Sequence, residues 1–321
     1  MKRLLAAIVA VALLWSGYWF IQARSLRGSI ESWFEARRAD DWEASYTDLS
    51  VSGFPNRLDV TFDGLLIANP DTGTAWEAPF FQMFSLVYTP DHWIFAWPDS
   101  QTVTVEAGTY QISSDGLRAS LVMDGERFLR SNLEAVTLNI SGLRDLAVAG
   151  LNVGLAADEV QPEVMRLGLS AAALAGKPVA LGPTGTADDV ALRAEVTFDD
   201  VWTTAALKGA RPQPTAIKLP LAEYRADDLD LKATGDWSVD GEGRLDGTAT
   251  LRAENWRNFL NAAETNGDMP NEVAALLRET LGLIAGLSGN KKTLDLTFGF
   301  NRGSVSLGIL PLGRAPRIRF D

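Results

Sequence analysis

Twenty consecutive uncharged residues, Leu4 to Ala23, constrain the fold of this chain more than any other feature of its sequence. A helix of that length spans about 30 Å, which matches the hydrocarbon core of a bilayer. Trp15, Tyr18 and Trp19 stand where a cleavage site would need small residues, and they are typical of an interfacial aromatic belt. The sequence therefore predicts an uncleaved transmembrane anchor over residues 1–24, with a cleaved signal peptide as the alternative.

The charges that flank this segment do not define its orientation. Lys2 and Arg3 precede it, whereas four arginines follow it closely: Arg24, Arg27, Arg37 and Arg38. A simple count places the C-terminal side in the cytoplasm, but long downstream domains translocate largely regardless of charge. A basic start followed at once by an apolar run is typical of exported chains. We therefore predict that the domain beyond the anchor is exported.

Composition excludes several classes of function. The chain has 321 residues, a net charge of −12 and 46% hydrophobic residues. Such a charge disfavours nucleic acid and peripheral binding to anionic lipid. With no cysteine and a single histidine, His92, the chain lacks most catalytic and metal-binding groups. We predict a non-enzymatic protein that needs no metal and no cofactor.

After a predicted helix at 25–42, apolar residues recur at every second position, which indicates antiparallel strands with one buried and one solvated face. The five clearest stretches are 58–63, 102–106, 136–141, 192–199 and 294–301. Turn residues predict two hairpins, one pairing 229–237 with 244–253 and one pairing 294–300 with 304–307. An amphipathic helix is predicted at 269–287. The predicted fold is mainly β: a transmembrane helix, then one elongated antiparallel domain at 25–321, with a seam near 176–185.

Two short blocks resemble a known family. Gly53-Phe54-Pro55 leads into a long strand, and 303–313 reads Gly-Ser-Val-Ser-Leu-Gly-Ile-Leu-Pro-Leu-Gly. Together with the neighbourhoods of Trp76 and His92, they resemble an uncharacterised proteobacterial envelope family, domain of unknown function 2125 (DUF2125). That family is similar to the wider AsmA-like group. The resemblance implies an inner-membrane anchor, a curved β-rich periplasmic domain and a role in phospholipid movement or envelope assembly. It carries over no catalytic residue, and the chain is too short to span a periplasm alone.

The candidate binding residues fall into an aromatic set and a basic set. The aromatic set could form a groove mouth, a rim on the bilayer or a corner of the core, and it comprises Trp76, Phe80, Phe81, Phe84, Trp93, Phe95 and Trp97. The basic set could pair with lipid phosphate or form a solvated tail, and it comprises Arg314, Arg317 and Arg319. The acidic pairs 188/189, 199/200 and 227/228 are interpreted as solvated turns.

These observations predict a membrane-anchored periplasmic protein that binds phospholipid or an envelope protein. The apolar face of its sheet needs a cover, because exposed apolar area costs about 25 cal/mol per Å². A second sheet, the helix at 269–287 or bound acyl chains could supply that cover. A scaffolding module that docks another envelope protein is the alternative.

Overall fold

In a computed structural model, the described residues are 1–143, 145–176, 185–187, 189–207, 209–226, 229–265, 271–287 and 292–320. They form two compact units: unit 1 comprises Met1–Val122 and Ala135–Leu143, and unit 2 comprises Met123–Glu134 and Arg144–Asp321. The strand pairs of the described residues are antiparallel, so the mainly β prediction is confirmed. The predicted seam falls on residues 177–184, which lie outside the described residues.

Unit 1 is a sheet with one long helix. Its elements are α1 (Lys2–Ala39), β1 (Glu43–Ser45), β2 (Asp48–Ser52), β3 (Arg57–Asn69), β4 (Thr74–Leu86), β5 (Thr89–Ala96), β6 (Ser100–Val105) and β7 (Gly108–Asp115). Strand β3 pairs with β1, β2 and β4, and β4 continues to β5 and β6. β8 (Arg118–Asp124) and β9 (Arg127–Ser141) contribute residues to both units.

Unit 2 is a longer antiparallel sheet in the order β10-β11-β14-β15-β16-β17-β18-β19-β20. Its strands are β10 (Leu146–Ala157), β11 (Val164–Ala171), β12 (Ala173–Gly176), β13 (Gly185–Ala187), β14 (Asp189–Phe198), β15 (Pro214–Ala226), β16 (Leu229–Val239), β17 (Leu245–Glu254), β18 (Thr293–Asn301), β19 (Ser304–Leu307) and β20 (Leu310–Arg314). Its helices are α2 (Trp256–Thr265) and α3 (Asn271–Leu287). Both predicted hairpins are confirmed by the β16–β17 and β18–β19 registers.

The predicted anchor and the predicted helix at 25–42 are one continuous helix, α1, which ends at Ala39. Arg24, the predicted end of the anchor, lies within this helix, and the region around it holds no proline. Among the described residues, α1 is the one helix long and apolar enough to cross a membrane by length and composition.

The C-terminal half of α1 covers the apolar face of the unit 1 sheet. Trp19 and Ala23 pack with Leu58 and Val87 in one cluster. Further along the helix, Phe34 packs in a second cluster with strand residues that include Val60 and Phe62. The inward residues Trp19, Ala23, Leu26, Ile30 and Phe34 recur every three or four positions, which keeps them on one helical face. The helix α1 therefore covers an apolar face of the unit 1 sheet.

In unit 2, the helices α2 and α3 pack against the sheet. Trp256 and Leu260 of α2 and Ala285 of α3 are buried with Leu294 and Leu296 of β18. Leu277 and Leu281 of α3 pack against the same cluster. The residues 268–270, predicted to start this helix, lie outside the described residues. Protein side chains thus cover this part of the sheet.

Candidate functional site

The aromatic residues predicted to form one cluster are divided between the two faces of the unit 1 sheet. In β4, the buried Ala78 and the partly buried Trp76, Phe81 and Met83 belong to the same core face. Strict alternation would place Trp76 and Phe81 on opposite faces. The alternation changes phase at Gly64, whose φ is +59°, and at Pro79 opposite it, although the β3–β4 pairs on both sides keep one register. Phe80 and Phe84 are left on the outer face.

The inner aromatic residues form a packed core. The ring of Phe81 lies 5.2 Å from that of Trp76 and 5.4 Å from that of Trp97. The indole Nε1 of Trp76 donates a hydrogen bond to the buried Gln101 at 2.7 Å. Trp93 precedes Phe95 by two residues on β5 and shares its face. Trp76 and Trp97 thus pack with Phe81, and Trp93 lies on the same face of β5 as Phe95.

On the outer face, Phe84 forms the floor of a cavity with a cationic rim, which we call the Arg57 cavity. It has a volume of about 320 Å³ and is lined by Arg57, Phe84, Ser85, Leu86, Thr89, His92 and Ile94. The guanidinium Cζ of Arg57 lies 5.4 Å from the centre of the Phe84 ring, and its Nε donates to Asp59 at 2.9 Å. Ile94 lies opposite Phe84 in the β4–β5 register. The cavity thus combines one guanidinium with apolar walls.

The Arg57 cavity lies next to the helix α1. The backbone carbonyl of Arg57 accepts a hydrogen bond of 2.7 Å from the indole Nε1 of Trp19 in α1. The backbone N–H of Val87, just beyond Leu86, donates to the carbonyl of Asn56 at 3.0 Å. Consequently, the residue that supplies the positive charge is fixed directly to the apolar helix. The sequence analysis did not identify Arg57 as a candidate. Arg57 lies two residues after the Gly-Phe-Pro block, but the alternation of apolar residues shows only that a strand begins there.

The predicted basic residues Arg314 and Arg317 belong to unit 2, and both are exposed. Arg317 Nη2 lies 3.9 Å from a carboxylate oxygen of Glu242, and Arg319 Nη1 donates to the carbonyl of Gly241 at 3.4 Å. Arg314 ends β20. These three arginines do not line the Arg57 cavity.

A network of charges connects β15 and β16 in unit 2. Arg225 Nη2 donates to the carboxylate of Glu223 at 2.6 Å, and Lys232 Nζ lies 3.3 Å from the same oxygen. The hydrogen bond from Arg225, with a further one from Lys232, lowers the pKa of Glu223 below its usual value. Lys232 also donates to Asp230 at 3.0 Å, and these bonds raise the pKa of Lys232. Since every charge here has a partner of opposite sign, the network joins strands rather than presenting a free charge.

We expect Glu223→Gln to reduce the acid sensitivity of unit 2. Because the folded pKa of Glu223 is depressed, its stabilising contribution is complete above the unfolded value near 4.5 and is lost as the pH falls through the folded pKa. The variant should therefore be less stable at neutral pH and lose less stability below about pH 4.5. Urea unfolding as a function of pH measures this. The same substitution in an Arg225→Gln background should have a smaller effect, and equal effects in both backgrounds would contradict the assignment.

Acidic residues do not form a metal site in the part of the chain that the structure describes, where no group of three or more acidic or histidine side chains could hold an ion. Of the acidic pairs, residues 188, 227 and 228 lie outside that part. Asp199 and Asp200 cap backbone N–H groups of Gln213 and Val201. Only the bond to Asp200 is local to the turn, because Gln213 lies 14 residues beyond Asp199.

Comparison with known proteins identifies one family. The model of the family described as "Uncharacterized protein conserved in bacteria (DUF2125)" matches residues 19–316. No curated protein and no solved structure matches the chain. The matched region includes the covering half of α1, the Arg57 cavity and the strands of unit 2.

Proposed function

The chain belongs to the bacterial family DUF2125, and we propose that it is a non-enzymatic, membrane-anchored protein that binds phospholipid in the Arg57 cavity. The anchor is α1, the sheet units are exported to the periplasm, and the membrane is the inner membrane. The bound lipid places its phosphate at Arg57 and the first part of an acyl chain on Phe84 and Ile94. We further propose a role in lipid handling or envelope biogenesis, as the resemblance of the sequence motifs to the AsmA-like group implies.

One observation carries this proposal: a guanidinium and an apolar cavity adjoin each other at the anchored end of unit 1. Guanidinium groups match phosphate in geometry and charge. Phe84, Leu86 and Ile94 offer apolar contacts beside that charge. Because Trp19 of the anchor holds the backbone of Arg57, a lipid from the adjoining leaflet reaches this cavity without crossing open water. A soluble anionic metabolite without an apolar part would gain no binding energy from these apolar side chains.

The non-enzymatic part of the proposal is supported by composition. With no cysteine in the chain and His92 as its one histidine, a thiol nucleophile is excluded and a histidine base could come from one position alone. His92 is exposed on β5 at the rim of the Arg57 cavity. A polar side chain there is suited to contact a headgroup.

We expect Arg57→Gln to weaken phospholipid binding by roughly 10- to 100-fold, because a hydrogen-bonded pair that involves a charged group contributes about 1.5–3 kcal/mol. The full chain is reconstituted in nanodiscs that contain a photoactivatable phosphatidylglycerol. The yield of cross-links in peptides of β4 and β5 is then compared with the yield in residues 4–14 of α1. Cross-links to the helix report lipid that merely surrounds the anchor, and they should not change.

Arg252→Gln provides a matched control. Arg252 also lies on a strand, and it pairs at 3.2 Å with Glu254, two residues further on, as Arg57 pairs with Asp59. It belongs to unit 2 and should leave the β4 and β5 cross-links unchanged. Absence of these cross-links in the unaltered chain, or equal yields for both variants, would reject lipid binding at this cavity.

An exposed strand in unit 2 favours the second candidate, a scaffold that docks another envelope protein. The residues of β20 are exposed, and Ile309, Leu310 and Leu312 present apolar side chains there. An exposed strand with apolar side chains can pair with a strand of another protein. A photoreactive residue at Leu312 that captures one protein in stoichiometric amount in cells, together with no lipid at β4 and β5, would select this alternative.

A further inference from the structure

The loop that joins β2 to β3, residues 53–57, lies against the apolar part of α1. The indole Nε1 of Trp15 donates to the carbonyl of Pro55 at 2.9 Å, and that of Trp19 donates to the carbonyl of Arg57 at 2.7 Å. The ring of Phe54 lies 5.5 Å from that of Trp19 and 6.0 Å from that of Phe20. These contacts fix the height of the 53–57 loop on the helix between Trp15 and Phe20.

The distance along α1 from the start of its apolar stretch, at Leu4, to the level of the loop is shorter than the thickness of a bilayer. The loop therefore cannot lie outside the bilayer. From Leu4, the first residue after the charged Lys2 and Arg3, the helix rises about 17 Å to Trp15 and about 24 Å to Phe20. A hydrocarbon core is about 30 Å thick, and tilting the helix shortens its reach. With Lys2 and Arg3 held at one headgroup layer, Trp15 and Phe20 both lie short of the other.

We therefore infer that the 53–57 loop is inserted into the bilayer beside α1, as a second membrane contact of the chain. Of the exposed side chains in the loop, Phe54 is the large apolar one, and at 52% exposed it suits that environment. Tyr88, in the neighbouring turn between β4 and β5, is 61% exposed and is placed at the same edge by the hydrogen bond between Val87 and Asn56. Aromatic residues of this kind concentrate where a membrane meets water.

The backbone of the loop is also suited to a medium without water, where an unpaired polar group is costly. Besides the two carbonyls bound by tryptophans, the carbonyl of Gly53 accepts from Arg57 N–H at 2.9 Å, and that of Asn56 accepts from Val87 N–H at 3.0 Å. Pro55 has no N–H group to satisfy. Four of the five loop carbonyls thus have partners within the protein, which a loop in water would not require.

Glycine at position 53 makes this tight arrangement attainable. Its φ is +101°, and a Cβ there would lie 2.8 Å from the carbonyl oxygen of Arg57. The side chain of Arg57 leaves on the outer face toward Asp59, so its charge can extend to the headgroups while its backbone stays near the helix. The inference rests on the membrane anchorage in the proposed function, but not on lipid in the Arg57 cavity.

Because the chain contains no cysteine, single cysteines can report the depth of individual residues in the full-length protein. Phe54→Cys is labelled with an environment-sensitive fluorophore in liposomes that contain lipids with a quencher on the acyl chain. We expect blue-shifted emission and loss of most of the fluorescence to the quencher. Tyr88→Cys should give the same type of response, and it serves as a second site should the change at Phe54 disturb packing.

Two further cysteine labels distinguish a failure of the inserted-loop inference from a failure of the proposed membrane anchorage. Asp71→Cys lies in the turn at the far end of β3, roughly 40 Å along the strand, and should stay unquenched. Val9→Cys lies in the exposed apolar part of α1 and should be quenched. Quenching at Val9 with none at Phe54 and Tyr88 overturns the inserted loop alone. No quenching at Val9 overturns the anchorage, and the inserted loop with it.

Discussion

Replacing Phe34 by alanine is expected to lower the free energy of unfolding of unit 1 by about 4 kcal/mol. Phe34 is 2% exposed and is buried among Ala44, Leu49, Val60, Phe62 and Leu65. Its ring lies 4.9 Å from that of Tyr46 and 5.8 Å from that of Phe62. Removal of the ring leaves a cavity between α1 and the sheet.

Hydrogen exchange of the full chain in nanodiscs measures this effect. A loss of about 4 kcal/mol raises the opening equilibrium of β3 amides roughly a thousandfold. Trp33→Ala changes the adjacent residue of α1, which is exposed, and should cost only about 1 kcal/mol. If β3 exchanges at the same rate in Phe34→Ala as in the unaltered chain, α1 does not stabilise the sheet in the way its packing indicates.

The packing of α1 on the sheet restricts how far unit 1 can move relative to that helix. In the proposed arrangement α1 crosses the membrane and also covers the sheet of unit 1. No free linker then separates the two, and unit 1 is held at one height. The Arg57 cavity and the 53–57 loop therefore keep a constant distance from the bilayer. A flexible tether would let unit 1 leave the surface, and a lipid would then have to cross water to reach the cavity.

Local features of the sequence were sufficient to predict most of the strands. Residues 229–253 and 294–307 alternate strictly and meet at turns rich in glycine, asparagine and aspartate, so their hairpins follow from neighbouring residues alone. The sequence predicted two adjoining stretches, 1–24 and 25–42, because helical periodicity on each side of Arg24 does not tell whether two segments share one axis. The covering role of α1 depends on contacts with Leu58 and Val60, which are distant in sequence.

The candidate site was less predictable, for a definite physical reason. Alternation assigns side chains to faces only while its phase is kept. The phase changes at Gly64, which has a positive φ, although the register of β3 with β4 is the same on both sides of it. Past this point, Trp76 shares the core face with Phe81, while Phe84 turns outward. Arg57 is a candidate because its backbone carbonyl accepts a hydrogen bond from Trp19, 38 residues away. No local pattern in the sequence predicts that contact.

Gly247→Ala is expected to destabilise unit 2 by about 3 kcal/mol. Gly247 lies opposite Trp237 in the β16–β17 register, with a φ of +151° that side chains rarely adopt. A Cβ there would overlap the carbonyl oxygen of Asp236 and lie 2.9 Å from Cα of Trp237. Both obstacles are backbone atoms of a central strand, so the overlap is relieved only by separating β16 from β17.

Gly241→Ala is the matched control, because a Cβ at Gly241, in the turn between the same two strands, would meet no atom within 4 Å. Exchange of β17 amides should accelerate roughly a hundredfold in Gly247→Ala and stay nearly unchanged in Gly241→Ala. Similar exchange in the two variants would mean that β16 and β17 are not in the register described. Since each unit has its own core, β3 in unit 1 should keep its protection in Gly247→Ala, whereas Phe34→Ala should affect β3 and spare β17.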